Sequence, residues 1–224
     1  MQTAVKITKN RYENILVTRR KIVSSETTND LNIVLGDYSE ISFHNAHNTD
    51  YASISKILAQ EIKNVTHISL NDTVLVVGMG NAKILTDSLG PVTIEKIEAT
   101  RGLSVLYPND FKDRVKVCAI SPGVIGKSGV SVQETIEMFS EKLNPELIIV
   151  IDALDVHSIE QIGHTIKIGN AGFRSNSRIR LDLTKEALRR PVITIGIPLV
   201  TDASTIANDI IEVLLPSVDT ATSL

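Results

Sequence analysis

The sequence is poor in features that would settle its biochemistry at once. It holds a single cysteine, Cys118, so a disulfide framework within the chain is excluded. Cys118 lies in the apolar run Val115–Ile120, where a buried small hydrophobe is a simpler reading than a reactive thiol. Charge is nearly balanced, 23 Lys and Arg against 26 Asp and Glu, with no dense basic block. Nothing electrostatic points to nucleic acid or another anionic polymer as a direct partner. No apolar run approaches bilayer-spanning length, and the first twenty residues lack a signal-peptide core. A cytoplasmic protein without a membrane partner is expected. Internal repeats and low-complexity tracts are absent. A third glycine is missing too: Gly78-Met79-Gly80 follows an apolar run as in a dinucleotide fingerprint, but Lys83 stands where the fingerprint needs glycine. A turn that simply requires glycine is the plainer explanation, and no cofactor is expected.

What is present centres on Thr73–Pro91. Thr73–Val77 is a β-branched run of the kind that fills a strand buried on both faces. Gly78 and Gly80 let the chain turn sharply at the carboxyl edge of a sheet, where open α/β folds place their ligands. Asp87 follows, just before Leu89-Gly90-Pro91. Proline is well tolerated in a first helical turn, so Pro91 is expected to open a helix reaching about Leu103, with Asp87 in the loop before it.

Residues 1–50 are polar and irregular, with strands expected at Asn14–Val23, Leu31–Leu35 and Glu40–Phe43. They read as a β-rich addition or a pro-segment. From Tyr51 the spacing of Ile54, Ile57, Leu58 and Ile62 predicts an amphipathic helix ending near Val65, and the α/β body of 51–224 begins there. Further strands are expected at Val115–Ile120, Leu147–Ile151, Thr165–Ile168 and Val192–Ile197, and helices at Val132–Leu143, Ser158–Ile162 and Ser204–Leu215. Such alternation predicts a mainly parallel sheet with helices on both faces. Gly169–Leu183 is polar, basic and irregular, and reads as a mobile loop at a site or an interface. Its Arg174, Arg178 and Arg180 suit an acidic peptide or simply a solvated loop.

Asp87 and Asp152 each follow an apolar strand and are expected to project from the same sheet edge. Two carboxyls in close approach resist ionising together, so one can act as base and the other as acid. That pairing suits hydrolysis of an amide, the base taking a proton from water and the acid protonating the carbonyl oxygen or the leaving nitrogen. The plain alternative is that each aspartate caps a helix or binds backbone amides. Asn81 can orient the loop or an acid through its amide, or stabilise the turn. Thr86 can donate to Asp87, and Asp202 reads most simply as an acid at the start of the last helix.

Several motifs occur in a telling order: Gly78-Met79-Gly80-Asn81, Thr86-Asp87-Ser88-Leu89-Gly90-Pro91, Pro122-Gly123-Val124-Ile125-Gly126, Ile151-Asp152-Ala153-Leu154, Ser158-Ile159-Glu160, Ile195-Gly196-Ile197-Pro198 and Asp202-Ala203. Over about Asn71–Leu215 the chain resembles the germination protease family of spore-forming bacteria. That resemblance implies an atypical aspartic endopeptidase of the spore core, acting on small acid-soluble spore proteins. It places the family's catalytic aspartates on Asp87 and Asp152. Gly80, Asn81, Thr86, Gly90, Pro122, Gly123, His157 and Asp202 become supporting or substrate-binding residues. A homo-oligomer is compatible with it, and no metal is implied. Departures are clear: Phe173–Arg178 replaces a glycine-rich His-Pro-Gly-Ser-Gly segment, His157 stands where an arginine is expected, and the family's long C-terminal extension and pro-segment have no counterpart.

A second family, the hydrogenase-maturation endopeptidases, is similar in plan and implies a three-layer α/β/α, phosphorylase/hydrolase-like fold. It recognises nickel through acids and a histidine; His157 and His164 follow Asp152, though lone histidines are more often hydrogen-bonded surface residues. A third reading is a non-catalytic relative that kept the fold as a binding or assembly module.

Overall fold

The computed structural model describes residues 5–23, 35–43, 50–156, 158–175 and 181–214. It is a mixed α/β protein built on one eight-stranded sheet. The strands are β1 (Val5–Tyr12), β2 (Ile15–Ile22), β3 (Gly36–Phe43), β4 (Thr73–Gly78), β5 (Lys116–Ile120), β6 (Leu147–Asp155), β7 (Thr165–Gly169) and β10 (Val192–Val200). Their order across the sheet is β1-β2-β3-β7-β10-β6-β4-β5. A small hairpin, β8 (Arg174–Ser175) with β9 (Leu181–Asp182), stands apart.

The mainly parallel sheet expected from the alternation of elements is corrected. Strands β10, β6, β4 and β5 run parallel, whereas β1, β2, β3, β7 and β10 pair antiparallel. The reason lies in the connections. A parallel neighbour needs a crossover of a dozen residues or more, usually carrying a helix. Among the described residues the short link from β6 to β7 holds only the 3₁₀ turn Ile159–Gln161, so β7 comes straight back. At the other end the chain reverses from Tyr12 to Ile15 through Glu13 at φ 50°. Strand β1 was not expected, β2 falls within the expected Asn14–Val23, β3 extends the expected Glu40–Phe43 back to Gly36, and most of Leu31–Leu35 falls outside the described residues.

The helices are α1 (Tyr51–Val65), α2 (Leu89–Ile94), α3 (Thr100–Leu106), α4 (Pro108–Phe111), α5 (Ile125–Ser128), α6 (Val132–Leu143), α7 (Lys185–Leu188) and α8 (Ala203–Leu214). Helix α6 starts on a capping box between Ser131 and Glu134 and ends on Asn144 at φ 47°, so both sets of orphan end groups find partners. Alternation along the strands sends their apolar side chains to the two faces of the sheet, into three clusters. On one face Leu75, Val77, Ile148, Val150 and Val192 meet Ile136 of α6 and Leu188 of α7, with Cys118 packed against them. On the other, Val74, Val76, Ile151 and Ile193 meet Leu89 and Ile94 of α2, while Ile54, Ile57 and Leu58 of α1 lie over Val17, Ile41, Ile166 and Ile168. Among the described residues no helix is long and apolar enough to cross a membrane.

Two local expectations also change. Pro91 does not open its helix. The turn starts at Leu89 and stops at Ile94, and Thr100–Leu106 is a separate helix. Strand β6 does not end at Ile151 but runs on to Asp155.

Candidate active site

The site is assembled by backbone packing around Gly78, Gly80 and Gly90. A Cβ on Gly90 would lie 2.2 Å from the Met79 carbonyl oxygen, and one on Gly78 would lie 2.3 Å from the Gly90 carbonyl oxygen. The start of α2 therefore rests backbone to backbone on the end of β4, an approach open only to glycine. Gly80 turns at φ 112°, and a Cβ there would meet the Asp87 carbonyl oxygen at 2.1 Å. Folded back in this way, the 3₁₀ turn Leu85–Asp87 packs by the ends of β6 and β10. The Asn81 amide N–H donates to both the Asp87 main-chain oxygen and Asp87 Oδ2, each at 2.9 Å. Half-buried Asp87 is thus held in place by main chain.

Asp152 sits inside β6, next to Ile151, whose carbonyl accepts from the Met79 N–H at 2.8 Å. Alternation puts it on the same face as Ile148 and Val150, but beyond the reach of α6 and α7. It borders an open cleft of about 470 Å³ on that face. Burial raises its carboxyl from 3.8 to about 6, against the opposing effect of the Ala153 N–H at 2.9 Å, and the charges of Asp87 and Asp155 push the same way as burial. The charge of Asp87 thus bears on the Asp152 carboxyl.

The other expected site residues divide. Gly80 and Gly90 shape the turn that carries Asp87. Asn81 contributes its main chain to Asp87, while its side chain accepts the Lys83 N–H at 3.1 Å and so stabilises the turn. Thr86 is exposed and makes no hydrogen bond to Asp87, which corrects the expected donation; a backbone amide takes that role. Pro122 and Gly123 lie beyond the end of β5, one strand outside the pair, with Gly123 at φ 73° over open space. Asp202 caps α8, accepting from the Thr205 N–H at 2.7 Å and Ser204 Oγ at 2.5 Å. His157 lies outside the described residues, and His164 bonds the Ile162 carbonyl at 2.8 Å. Among the described residues no three His, Cys, Asp or Glu side chains gather as a metal site.

Sequence reasoning missed four of the cleft's walls, Arg20, Tyr38 and Glu40 from the N-terminal strands and Lys167 from β7; Arg174, named there as suited to an acidic peptide, lines the cleft together with Phe173 and Gly196. Period-two alternation in Thr165–Gly169 does put Lys167 opposite Ile166 and Ile168. The alternation carries no sign that its other face is a cleft rather than open solvent.

Comparison with known proteins assigns the class first: the chain is of a peptidase kind. It belongs to the germination protease family, whose model matches residues 1–221. The germination protease of Clostridium tetani (strain Massachusetts / E88) is 39% identical over 218 residues, covering 94% of this chain and 68% of that protein. That of Caldanaerobacter subterraneus subsp. tengcongensis is 36% identical over 226 residues, covering 98% and 70%. That of Clostridium perfringens (strain ATCC 13124) is 34% identical over 210 residues, covering 91% and 65%. The chain thus spans 65% to 70% of the length of these relatives.

Proposed function

We propose that the protein is an endopeptidase that hydrolyses peptide bonds with Asp87 and Asp152 as an acid–base pair. The observation that carries this reading is the raised proton affinity of Asp152, half-buried beside a cleft and subject to the charge of Asp87. Asp87 takes a proton from the attacking water, and Asp152, which keeps its proton up to about pH 6, delivers it to the leaving nitrogen. Gly80, Gly90 and the Asn81 amide hold Asp87 in position. Pro122, Gly123, His157 and Asp202 belong to the outer substrate-contacting set implied by the resemblance. Residues 51–224 form the hydrolase-like, three-layer body in this reading, and the N-terminal strands supply the cleft's far wall.

Family membership supports protein substrates, and the small acid-soluble proteins of the spore core are the proposed ones. The test is cleavage of such a protein by purified full chain and by Asp87→Asn and Asp152→Asn. Each variant should fold and lose turnover by at least about a hundredfold, the scale of one acid–base group. Retained turnover in either variant counts decisively against the pair.

A further inference from the structure

One row of the sheet runs Glu40, Lys167, Gly196, Asp152. Glu40 of β3 is opposed to Lys167 of β7, Lys167 to Gly196 of β10, and Gly196 to Asp152 of β6. Directly opposed residues share a face, and all four border the same cleft. Gly196 brings no side chain of its own between Lys167 and Asp152, and the Leu154 side chain lies over it, 2.5 Å from where a Cβ would stand. With strands about 4.8 Å apart, Lys167 and Asp152 stand two steps, or roughly 10 Å, from each other across the sheet.

Among the described residues three cations border the cleft. Arg20 is paired with Glu40 at 3.2 Å and Arg174 with Asp182 at 3.2 Å. Lys167 is half-buried and, among the described residues, has no carboxylate within ion-pair distance. Glu40, its direct neighbour, is already engaged by Arg20 and by Ser42 Oγ at 3.5 Å. Between Lys167 and Asp152 the cleft is floored by the Leu154 side chain over Gly196, with a proton donor on one side and, among the described residues, a cation without an ion-pair partner on the other.

We propose that Lys167 binds the carbonyl oxygen of the scissile peptide bond and stabilises the oxyanion that forms there. The inference rests on the paired-aspartate reading above. Water attacks the carbonyl carbon and loses its proton to Asp87. The carbonyl π pair moves onto the oxygen, where the Lys167 ammonium holds it. On collapse the C=O bond re-forms, the C–N bond breaks, and the Asp152 proton passes to the departing nitrogen. Proton exchange with solvent then resets both carboxyls.

The experiment compares full-length wild type, Lys167→Met, Lys167→Ala and Lys167→Arg in steady-state cleavage of a small acid-soluble spore protein, with thermal unfolding alongside. Lys167→Met should lower kcat by about 10²–10³, the scale of one oxyanion donor, with KM and unfolding temperature little changed. Lys167→Arg should restore part of kcat, and methylamine in solution should restore part of it to Lys167→Ala. A raised KM at unchanged kcat overturns the proposal and makes Lys167 a binder of substrate side chains. Wild-type kinetics in Lys167→Met, or lost folding in all three variants, overturn it as well. Asp87→Asn and Asp152→Asn run in parallel separate the two readings. If they abolish turnover and Lys167→Met does not, only the lysine's role falls. If they retain turnover, or wild type is folded but inert, the aspartate pair falls with it.

Discussion

Asp152 carries a cost that a neutral side chain would not. Its proton affinity is higher in the fold than in the unfolded chain, because burial and then the nearby charges penalise the ionised form. The sign follows directly: between 3.8 and about 6 the folded state binds more protons than the unfolded one, so stability falls as pH rises through that window. Below it the cost is absent and above it complete, at roughly 3 kcal/mol from about 1.4 kcal/mol per pH unit. Asp152→Asn should therefore be more stable than wild type by up to that amount near pH 7.5. The advantage should shrink to roughly 1 kcal/mol near pH 4.5. Urea unfolding at the two pH values measures it, and an equal difference at both would contradict the assignment. Turnover by wild type should likewise decline as pH rises above about 6, where the donor loses its proton.

Glycines give a second test at the same scale. Gly90 and Gly102 both sit in helices, yet a Cβ on Gly90 meets the main chain of β4 and one on Gly102 meets nothing within 4 Å. Gly102→Ala should stabilise by about 0.5–1 kcal/mol through helix propensity. Gly90→Ala should instead destabilise by roughly 1–3 kcal/mol and displace Asp87, lowering activity beyond what lost stability explains. Equal effects in the two variants would mean that Gly90 is not a packing contact.

At the scale of elements, α1 is tied to the N-terminal strands by one buried carboxylate. Glu61 is 1% exposed and accepts from Arg19 Nε at 2.8 Å, Arg19 Nη2 at 2.5 Å and Ser39 Oγ at 2.7 Å. Burial alone would raise its proton affinity, but the hydrogen bonds from Arg19 and Ser39 outweigh burial and hold Glu61 below its usual 4.5. Its contribution is thus present above that value and is lost as pH falls below it. Glu61→Gln should cost roughly 2–4 kcal/mol, since it strands the Arg19 charge; a change within experimental error in chemical denaturation would refute that.

Elements were legible where periodicity and punctuation agree. Helix α6 was legible from the amphipathic spacing of Val132–Leu143, and β4 from Thr73–Val77 and the glycines after it. Strand β6 was cut short because Asp152 reads as a stop in an apolar run. A sheet face that no helix covers tolerates a carboxyl in mid-strand, and coverage is a tertiary property. The direction of β7 was hidden for a similar reason, since neighbours in the sheet come from distant segments. Asp87 could be singled out because its turn chemistry is local; Lys167 could not, because its meaning depends on Gly196 and Asp152 two strands away.

For the whole molecule, the two-carboxyl reading implies catalysis without a metal ion. In that reading Asp87 and Asp152 supply both proton transfers, whereas a hydrolytic metal is normally held by about three protein ligands with a position left for water. A glycine turn carries one acid, a half-buried position of β6 carries the other, and Leu154 lies over Gly196 in the cleft beside them. Cleavage of a small acid-soluble spore protein should therefore survive exhaustive chelation with unchanged kcat. Loss of activity that nickel or zinc restores would contradict this and favour a metal-recognising endopeptidase. The same assay in Asp152→Asn completes the argument, because a metal-dependent reaction that used Asp152 as a ligand would lose metal binding along with turnover. A proton-transfer role instead leaves titration calorimetry with nickel or zinc indistinguishable between the variant and wild type.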